Sequence, residues 1–549
     1  MARPLGRDRA PLMVTVMSRL IRWVTVLVPG AFLALFFIYP VVSVLGRGLG
    51  RDGLNAFGDL ASSGRIRDTI WFTVWQAVVS TAITVAVALP AAGIVARLSG
   101  RRQRLVRALV TVPFVLPTVV VAGAFEGLFD RFGLDSGAIR LRHTVWAVLL
   151  AHVFFNYAVI VRAVGSYWSG LDGRLEDQAR ILGASRWQTF REITLPRLRP
   201  AILASSAIVF LFSFTSFGVV LILGGPRRAT IETEIYRFAV TRSDLSSAAA
   251  MAVVQLVAVL ALIMVTTRLE RRRPVTQAQP QRASLAVTRR WMGANVVVAM
   301  LLLGAPISAL IERSVSVGDR YGLDNYRALG ERVQQLPAPA TTALWNSLVF
   351  AVVATSIAAV VGMLASVVVV HGTPWLRHMF DLGLTLPLGT SAVTIGFGIL
   401  VALDEPPLDL RTSWWIVPIA HALVGVPFVV RSVVPVLRSI DPSLREAATV
   451  LGAAPGRVRR EIDVLIGMRG LVVGAGFAFA VSLGEFGATS FIPRRADLLT
   501  APVALFRLLG TPGEQLRGQA MALAVIIMVM VATAVLLIES ARSSNDGSI

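Results

Sequence analysis

DGRLEDQARILGASRWQTFREI, from Asp172 to Ile193, is read again as DPSLREAATVLGAAPGRVRREI, from Asp441 to Ile462, with 9 of 22 positions identical. The register extends well beyond the stretch. His152/His421, Arg162/Arg431, Glu192/Glu461 and Phe217/Phe486 keep the spacing of the two stretches, whereas Trp71/Trp345, Thr73/Ser347 and Pro113/Pro387 keep a constant spacing that is slightly longer. The second copy is therefore five residues shorter somewhere between Gly123 and His421, in a loop, where lengths drift freely. The chain is one unit written twice.

Composition says what kind of unit. The 549 residues are 55% apolar and 15% charged, with a strongly positive mean hydropathy, which marks a membrane chain rather than a set of soluble domains. Twelve apolar runs can cross about 30 Å of hydrocarbon as helices, at 22–46, 69–98, 105–128, 142–167, 200–224, 246–268, 291–313, 344–370, 376–402, 412–435, 466–490 and 517–539. The expectation is an all-α polytopic membrane protein of two tandem six-helix repeats, 1–268 and 291–549. A Pro-, Gln- and Arg-rich tether, 269–290, joins them. The fifth and eleventh runs are interrupted by polar residues. Gly46 to Thr69 reads as a polar outer loop, the tail after Ser540 as disordered, and the first run as an uncleaved span, too long for a signal peptide. Pro113, Pro117 and Pro387 place kinks at depth in the third and ninth runs, where neighbours must re-satisfy the backbone.

All 53 basic residues are Arg, and the net charge is +21. Arginine concentrates in alternate loops, which places both termini and both copies of the repeated stretch on the cytoplasmic side of a prokaryotic plasma membrane. The charge is then positive-inside bias and attraction to anionic lipid, and no nucleic-acid partner is needed. There is no cysteine, so thiolate metal sites and Cys nucleophiles are excluded. The five histidines have no metal-ligand spacing, no metal site is expected, and nothing suggests covalent catalysis.

The repeated stretch carries a device. Leu175, Ala179 and Leu182 share a helical face, Gly183 supplies a residue tolerant of positive φ at the helix end, and Trp187, Phe190 and Ile193 recur at three-residue steps before Pro196. Two short amphipathic helices meeting at a glycine make a rigid knuckle. In one copy these could lie on lipid; two at matching places form a docking pair. Glu446-Ala447-Ala448 with Leu451-Gly452-Ala453, and Asp177-Gln178-Ala179 with Leu182-Gly183-Ala184 and Leu195-Pro196, resemble the EAA loop of MetI-like importer-type ABC transporter permeases. The resemblance covers nearly the whole chain, as two fused permease domains with EAA loops at about 170–200 and 439–469. It implies that Asp177, Ala179, Gly183, Trp187, Phe190, Glu446, Ala448 and Gly452 couple to a cytoplasmic ATPase. Two departures, Asp177-Gln178 for the usual acid and Ala, and Leu465 for the closing proline, point to docking sites of unequal strength. A Walker A loop needs a lysine and there is none, so ATP and Mg belong to a separate subunit, two copies if each loop engages one.

For the cargo, an ionisable residue inside a span is a functional hypothesis. Glu485 is the leading candidate, matched by Ser216 in the first copy, with Phe214, Phe217 and Phe486 available for stacking or cation-π contact and Asn156 in a lesser role. The alternative is that Glu485 caps a broken helix or pairs with an arginine. LGGPRRATIETEIYRFA, from Leu223 to Ala239, resembles a loop of fused thiamine permeases, an arrangement shared with ferric-iron permeases; both imply an extracytoplasmic solute-binding protein. Thiamine or a related organic cation is favoured over iron. A proton-driven secondary transporter is the alternative of another class, but it would leave the knuckles without a role.

Overall fold

A computed structural model of the chain describes residues 23–98, 100–134, 140–271, 289–403, 409–410, 412–492 and 495–545. Most of the expected tether lies outside these. Among the described residues ten helices are long and apolar enough to cross a membrane: Trp23–Leu49, Gly64–Arg97, Val145–Ser169, Arg186–Phe214, Leu245–Val265, Gly293–Val315, Ala340–His371, Ile416–Arg438, Gly456–Gly484 and Glu514–Ile538. They match ten of the twelve expected runs. The other two, the third and ninth, are broken helices. Leu109–Val115 and Thr118–Arg131 meet at 105°, and Pro374–Gly389 is followed after Thr390 and Ser391 by Ala392–Ala402. The breaks fall at Pro117 and Ser391, which are equivalent by the spacing that relates Pro113 to Pro387; those two prolines lie inside the preceding helical segments.

Three local expectations are corrected. The polar loop at Gly46–Thr69 contains a helix, Arg51–Ser62, which buries Gly53, Ala56 and Leu60 on one side, so the charges that marked a loop are its solvent face. The last helix runs to Asn545 rather than ending near Ser540. Pro196 does not end a helix either: the chain is helical without interruption from Arg186 to Phe214. A widened turn, Phe190–Thr194, in which the Leu195 N–H reaches the Phe190 carbonyl, leads into that proline in the first turn of Leu195–Phe214. The same widening recurs at Arg459–Val464 before Leu465, so it belongs to the architecture and not to the proline.

The two halves exchange their leading helices. Phe32, Leu33 and Phe37 of the first span are buried with Phe350, Ala354, Phe380 and Ile395 of the second half. Leu302 and Leu303 of the seventh lie against Ala88, Tyr157 and Val161 of the first. A shared core joins Val119, Phe125 and Phe217 to Phe397, Phe486 and Ala524. Small residues allow close helix approach, as lipid supplies no hydrophobic drive between spans: a Cβ on Gly165 would sit 3.2 Å from the Ala92 carbonyl oxygen, and one on Gly474 would sit 2.6 Å from Val429 Cα. Among the described residues the only strands are a two-residue pair, Ser316–Val317 with Arg320–Tyr321.

Candidate functional site: paired knuckles and a cavity between the halves

Each knuckle is a short helix turning at a glycine into the following span. Arg174–Ile181 ends at Gly183, φ +89°, and Pro442–Val450 at Gly452, φ +83°. In both copies the glycine N–H bonds back three residues, to Arg180 and Thr449. The next N–H bonds back five, from Ala184 to Ala179 at 3.0 Å and from Ala453 to Ala448 at 3.0 Å. This is a Schellman closure, which needs a left-handed residue at the glycine position. The roles assigned to Ala179, Ala448, Gly183 and Gly452 are thus in part conformational. Ser185 then opens the next helix with a capping box to Gln188. Exposed Asp441 caps Pro442–Val450; its bond from the Ser443 N–H, 2.9 Å, aided by the Ser443 hydroxyl, holds the carboxyl below its usual range.

The knuckle tips are apolar and uncovered. Ile181 and Leu182 are 83% and 88% exposed, Val450 and Leu451 87% and 86%. Trp187 is also exposed and packs its ring against Phe190, which in turn stacks on Trp168 at 6.2 Å. Leu175 is half-exposed, so the face predicted from Leu175, Ala179 and Leu182 is available rather than packed inside. Glu446 is exposed, and Asp177 is half-buried.

Between the halves lies a cavity of about 620 Å³ lined by Phe114, Phe155, Phe212, Phe428 and Phe477, with Arg162 and Arg431 bordering it. Of the predicted path residues, Glu485, Ser216, Phe217, Phe486 and Asn156 line it; Phe214 does not, and stacks on Phe210 within the fifth span's helix. Phe217 and Phe486, both lining the cavity and equivalent by the internal repeat, stack on each other at 5.4 Å and 21°. Tyr236, Phe491 and Phe506 pack around that pair. Aromatic pairs of this kind are worth about 0.5–1.5 kcal/mol beyond the area they bury.

Glu485 is wholly engaged. Its carboxylate accepts the Ala488 N–H at 2.7 Å, the Thr489 N–H at 2.9 Å and the Thr489 hydroxyl, and His421 Nε2 lies 3.4 Å away. His421 is fixed by Ser482 and Thr489, each at 2.8 Å. In the first half His152 lies between Ser80 at 3.0 Å and Ser216 at 2.8 Å. Each histidine thus braces the break that ends a fifth or eleventh span, where freed backbone groups would otherwise be unpaired in lipid.

Sequence reasoning did not single out the pairing of Glu232 with Ser391. The short helix Ile231–Tyr236 tucks back into the protein. Glu232, fully buried, accepts from Gln255 at 2.8 Å and from Ser391, at the break of the ninth span, at 2.6 Å. Glu234, equally buried, is held by both oxygens to Arg65 and by one to Arg237. The second span secures the helix start, because Thr73 Oγ1 accepts the Ile231 N–H at 3.1 Å; in the other half Ser347 accepts the Ala501 N–H at 2.8 Å. The Thr73/Ser347 repeat was the available signal.

Residues 88–274 match the family described as binding-protein-dependent transport system inner membrane component. A probable ABC transporter permease protein, y4fN, of Sinorhizobium fredii is 24% identical over 87% of this chain and 89% of its own length. The thiamine transport system permease protein ThiP of Salmonella typhimurium is 26% identical over 76% and 78%. The sulfate transport system permease protein CysT of Escherichia coli is 33% identical over 24% of this chain and 50% of its own. With its spans and paired knuckles, this all-α, multi-pass chain carries over residues 88–274 the inner-membrane domain of binding-protein-dependent transport systems, and over most of its length it is similar to ABC transporter permeases.

Proposed function

We propose that the chain forms the whole translocation path of a thiamine importer, or of an importer for a closely related organic cation. Two copies of a separate ATPase subunit grip its knuckles from the cytoplasm, where both termini also lie, and a solute-binding protein delivers cargo to the opposite face. The observation that carries this reading is the pair of uncovered apolar tips, Ile181 with Leu182 and Val450 with Leu451, at equivalent ends of the two halves that enclose one cavity. ATP-driven approach of the subunits draws the tips together and parts Phe217 from Phe486; release lets the halves return. The chain itself performs no covalent chemistry.

Thiamine is supported by relatives named for it that align over 76% of the chain and by a cavity lined with phenylalanine, which suits a flat, aromatic, cationic ring. With Glu485 tied to its own break, ring stacking supplies more of the recognition than a lone charge does. Ferric iron would require oxygen ligands, and among the described residues no group of three or more His, Cys, Asp or Glu side chains gathers. Uptake of labelled thiamine and of labelled iron by cells carrying this system alone is the deciding experiment. Thiamine uptake that stops on ATP depletion is expected; iron uptake without thiamine would overturn the cargo, and uptake driven by a proton gradient without ATP would overturn the class.

A further inference from the structure

The internal duplication gives two solutions to one problem at the base of the knuckles. In the first half Glu176 belongs to the protruding helix, yet it is buried. Its Oε1 accepts from the Thr194 hydroxyl at 2.6 Å, and Arg97, the last residue of Gly64–Arg97, meets the knuckle through the Trp168 ring, which stacks on Phe190. Arg97 is itself fixed, with Nη1 2.6 Å from the Gly93 carbonyl and its guanidinium over the Trp168 ring. In the second half the equivalents of Glu176 and Thr194, by the spacing that relates His152 to His421, are Arg445 and Asp463. Arg445 Nε donates to Asp463 Oδ1 at 2.9 Å. The equivalent of Arg97, by the spacing that relates Trp71 to Trp345, is His371, the last residue of Ala340–His371, with Nε2 3.5 Å from Asp463 Oδ2. The acid has moved from the knuckle helix to the root of the next span, and a base has taken its place. What survives the exchange is a polar contact between knuckle helix and span root, 2.6 Å in one half and 2.9 Å in the other.

The other end of the same helices reaches the segments that carry the stacked Phe217 and Phe486. Thr73, on Gly64–Arg97, holds the start of Ile231–Tyr236, and Gln76 donates to the Ser213 carbonyl at 2.8 Å, beside the break of the fifth span. On Ala340–His371, Ser347 holds the start of Ala501–Leu509, and Asn346 donates to the Asp497 and Leu499 carbonyls at 2.7 and 3.0 Å. A 34-residue helix is a stiff connection about 50 Å long.

We propose that the second span of each half is the rod that carries motion from knuckle to aromatic closure, gripped at the knuckle by Glu176, Thr194 and Arg97 in one half and by Arg445, Asp463 and His371 in the other. These are positioning residues, and the role rests on the reading of the knuckles as ATPase-facing elements. The clamp makes knuckle, span root and rod one body, so displacement of the tip moves Thr73 and Ser347 rather than bending the loop between.

The test uses the full chain with its ATPase subunit in liposomes. Because the chain has no cysteine, Arg227→Cys and Arg507→Cys place two unique labels on the segments beyond the aromatic closure, and the ATP-driven change in their separation reads the closure without knowledge of the cargo. Glu176→Arg is expected to leave ATPase association and hydrolysis within about twofold of the parent while the label response falls at least fivefold. Glu176→Arg with Thr194→Asp, which copies the second half's arrangement, should restore it. If Glu176→Arg does not assemble, Thr194→Val, which deletes only a hydroxyl, must show the same split between hydrolysis and movement. A full label response in an assembled single variant, or loss of hydrolysis and movement together, would overturn the clamp. Failure of the parent chain to bind the ATPase would overturn the knuckle reading, and the clamp with it.

Discussion

Gly183 and Gly452 show how much one residue can determine. A Cβ at either would meet nothing within 4 Å, so the cost of replacement is conformational. Gly183→Ala is expected to destabilise the knuckle locally by about 1–2 kcal/mol, the penalty for a left-handed L-residue, read as faster amide exchange over 174–184. Gly452→Pro forbids φ +83° and removes the N–H that bonds to Thr449. It should abolish uptake while leaving the solute-binding protein's own affinity for cargo unchanged; normal uptake would count against the coupling role. The positive φ was legible, because a helix-like run that stops at the same glycine in both copies is the local signature of a left-handed closure. Glu485 was legible only in part. Its placement at depth marked it as functional, but that its oxygens would be taken up by Ala488 and Thr489 depended on a chain reversal that periodicity does not describe. Glu485→Gln should lower the melting temperature and uptake together, since it exchanges a charged acceptor worth about 1.5–3 kcal/mol per bond for a neutral one. Lost uptake with unchanged melting would return the carboxylate to the cargo.

At the scale of elements, amphipathic spacing read the knuckle faces correctly and the continuity between them incorrectly. Proline at 196 suggested a boundary, yet the widened turn directly before it accommodates the missing N–H and lets Arg186 run on to Phe214. The consequence is mechanical, since one protruding helix is free while the other is the foot of a span. Leu182→Asp and Trp187→Ser should each weaken ATPase association at least tenfold in a pull-down or by light scattering, with no change in the fold, because both side chains are mostly exposed. Should the counterpart Leu451→Asp, in the knuckle that has Gly456 where the first has Trp187, cost much less, the two docking sites are unequal. Broken helices were harder to foresee. Pro117 is a visible breaker, but its counterpart Ser391 is not. It holds its break by accepting the Val393 N–H while donating to Glu232, a partner 159 residues away.

Across the whole molecule, the closure depends on the two halves meeting. Phe217→Ala with Phe486→Ala removes the stacked pair from the axis, and is expected to raise both the leak of small solutes from liposomes and ATP hydrolysis in the absence of solute-binding protein; a tight, silent double variant would show that Tyr236, Phe491 and Phe506 close the path alone. The sequence by itself determined the duplication, the helical membrane class, ten of the continuous spans and the place and glycine hinge of each knuckle, because those depend on hydropathy, periodicity and local backbone preference, all short-range properties. Only the tertiary structure decided that the leading helices change places, that Phe217 meets Phe486, that Glu232 reaches Ser391 and that Glu176 meets Thr194 in one half while Asp463 meets Arg445 in the other. Those facts depend on which distant surfaces come together in a medium where an unpaired polar group is costly, and no stretch of sequence carries its partner's position within it.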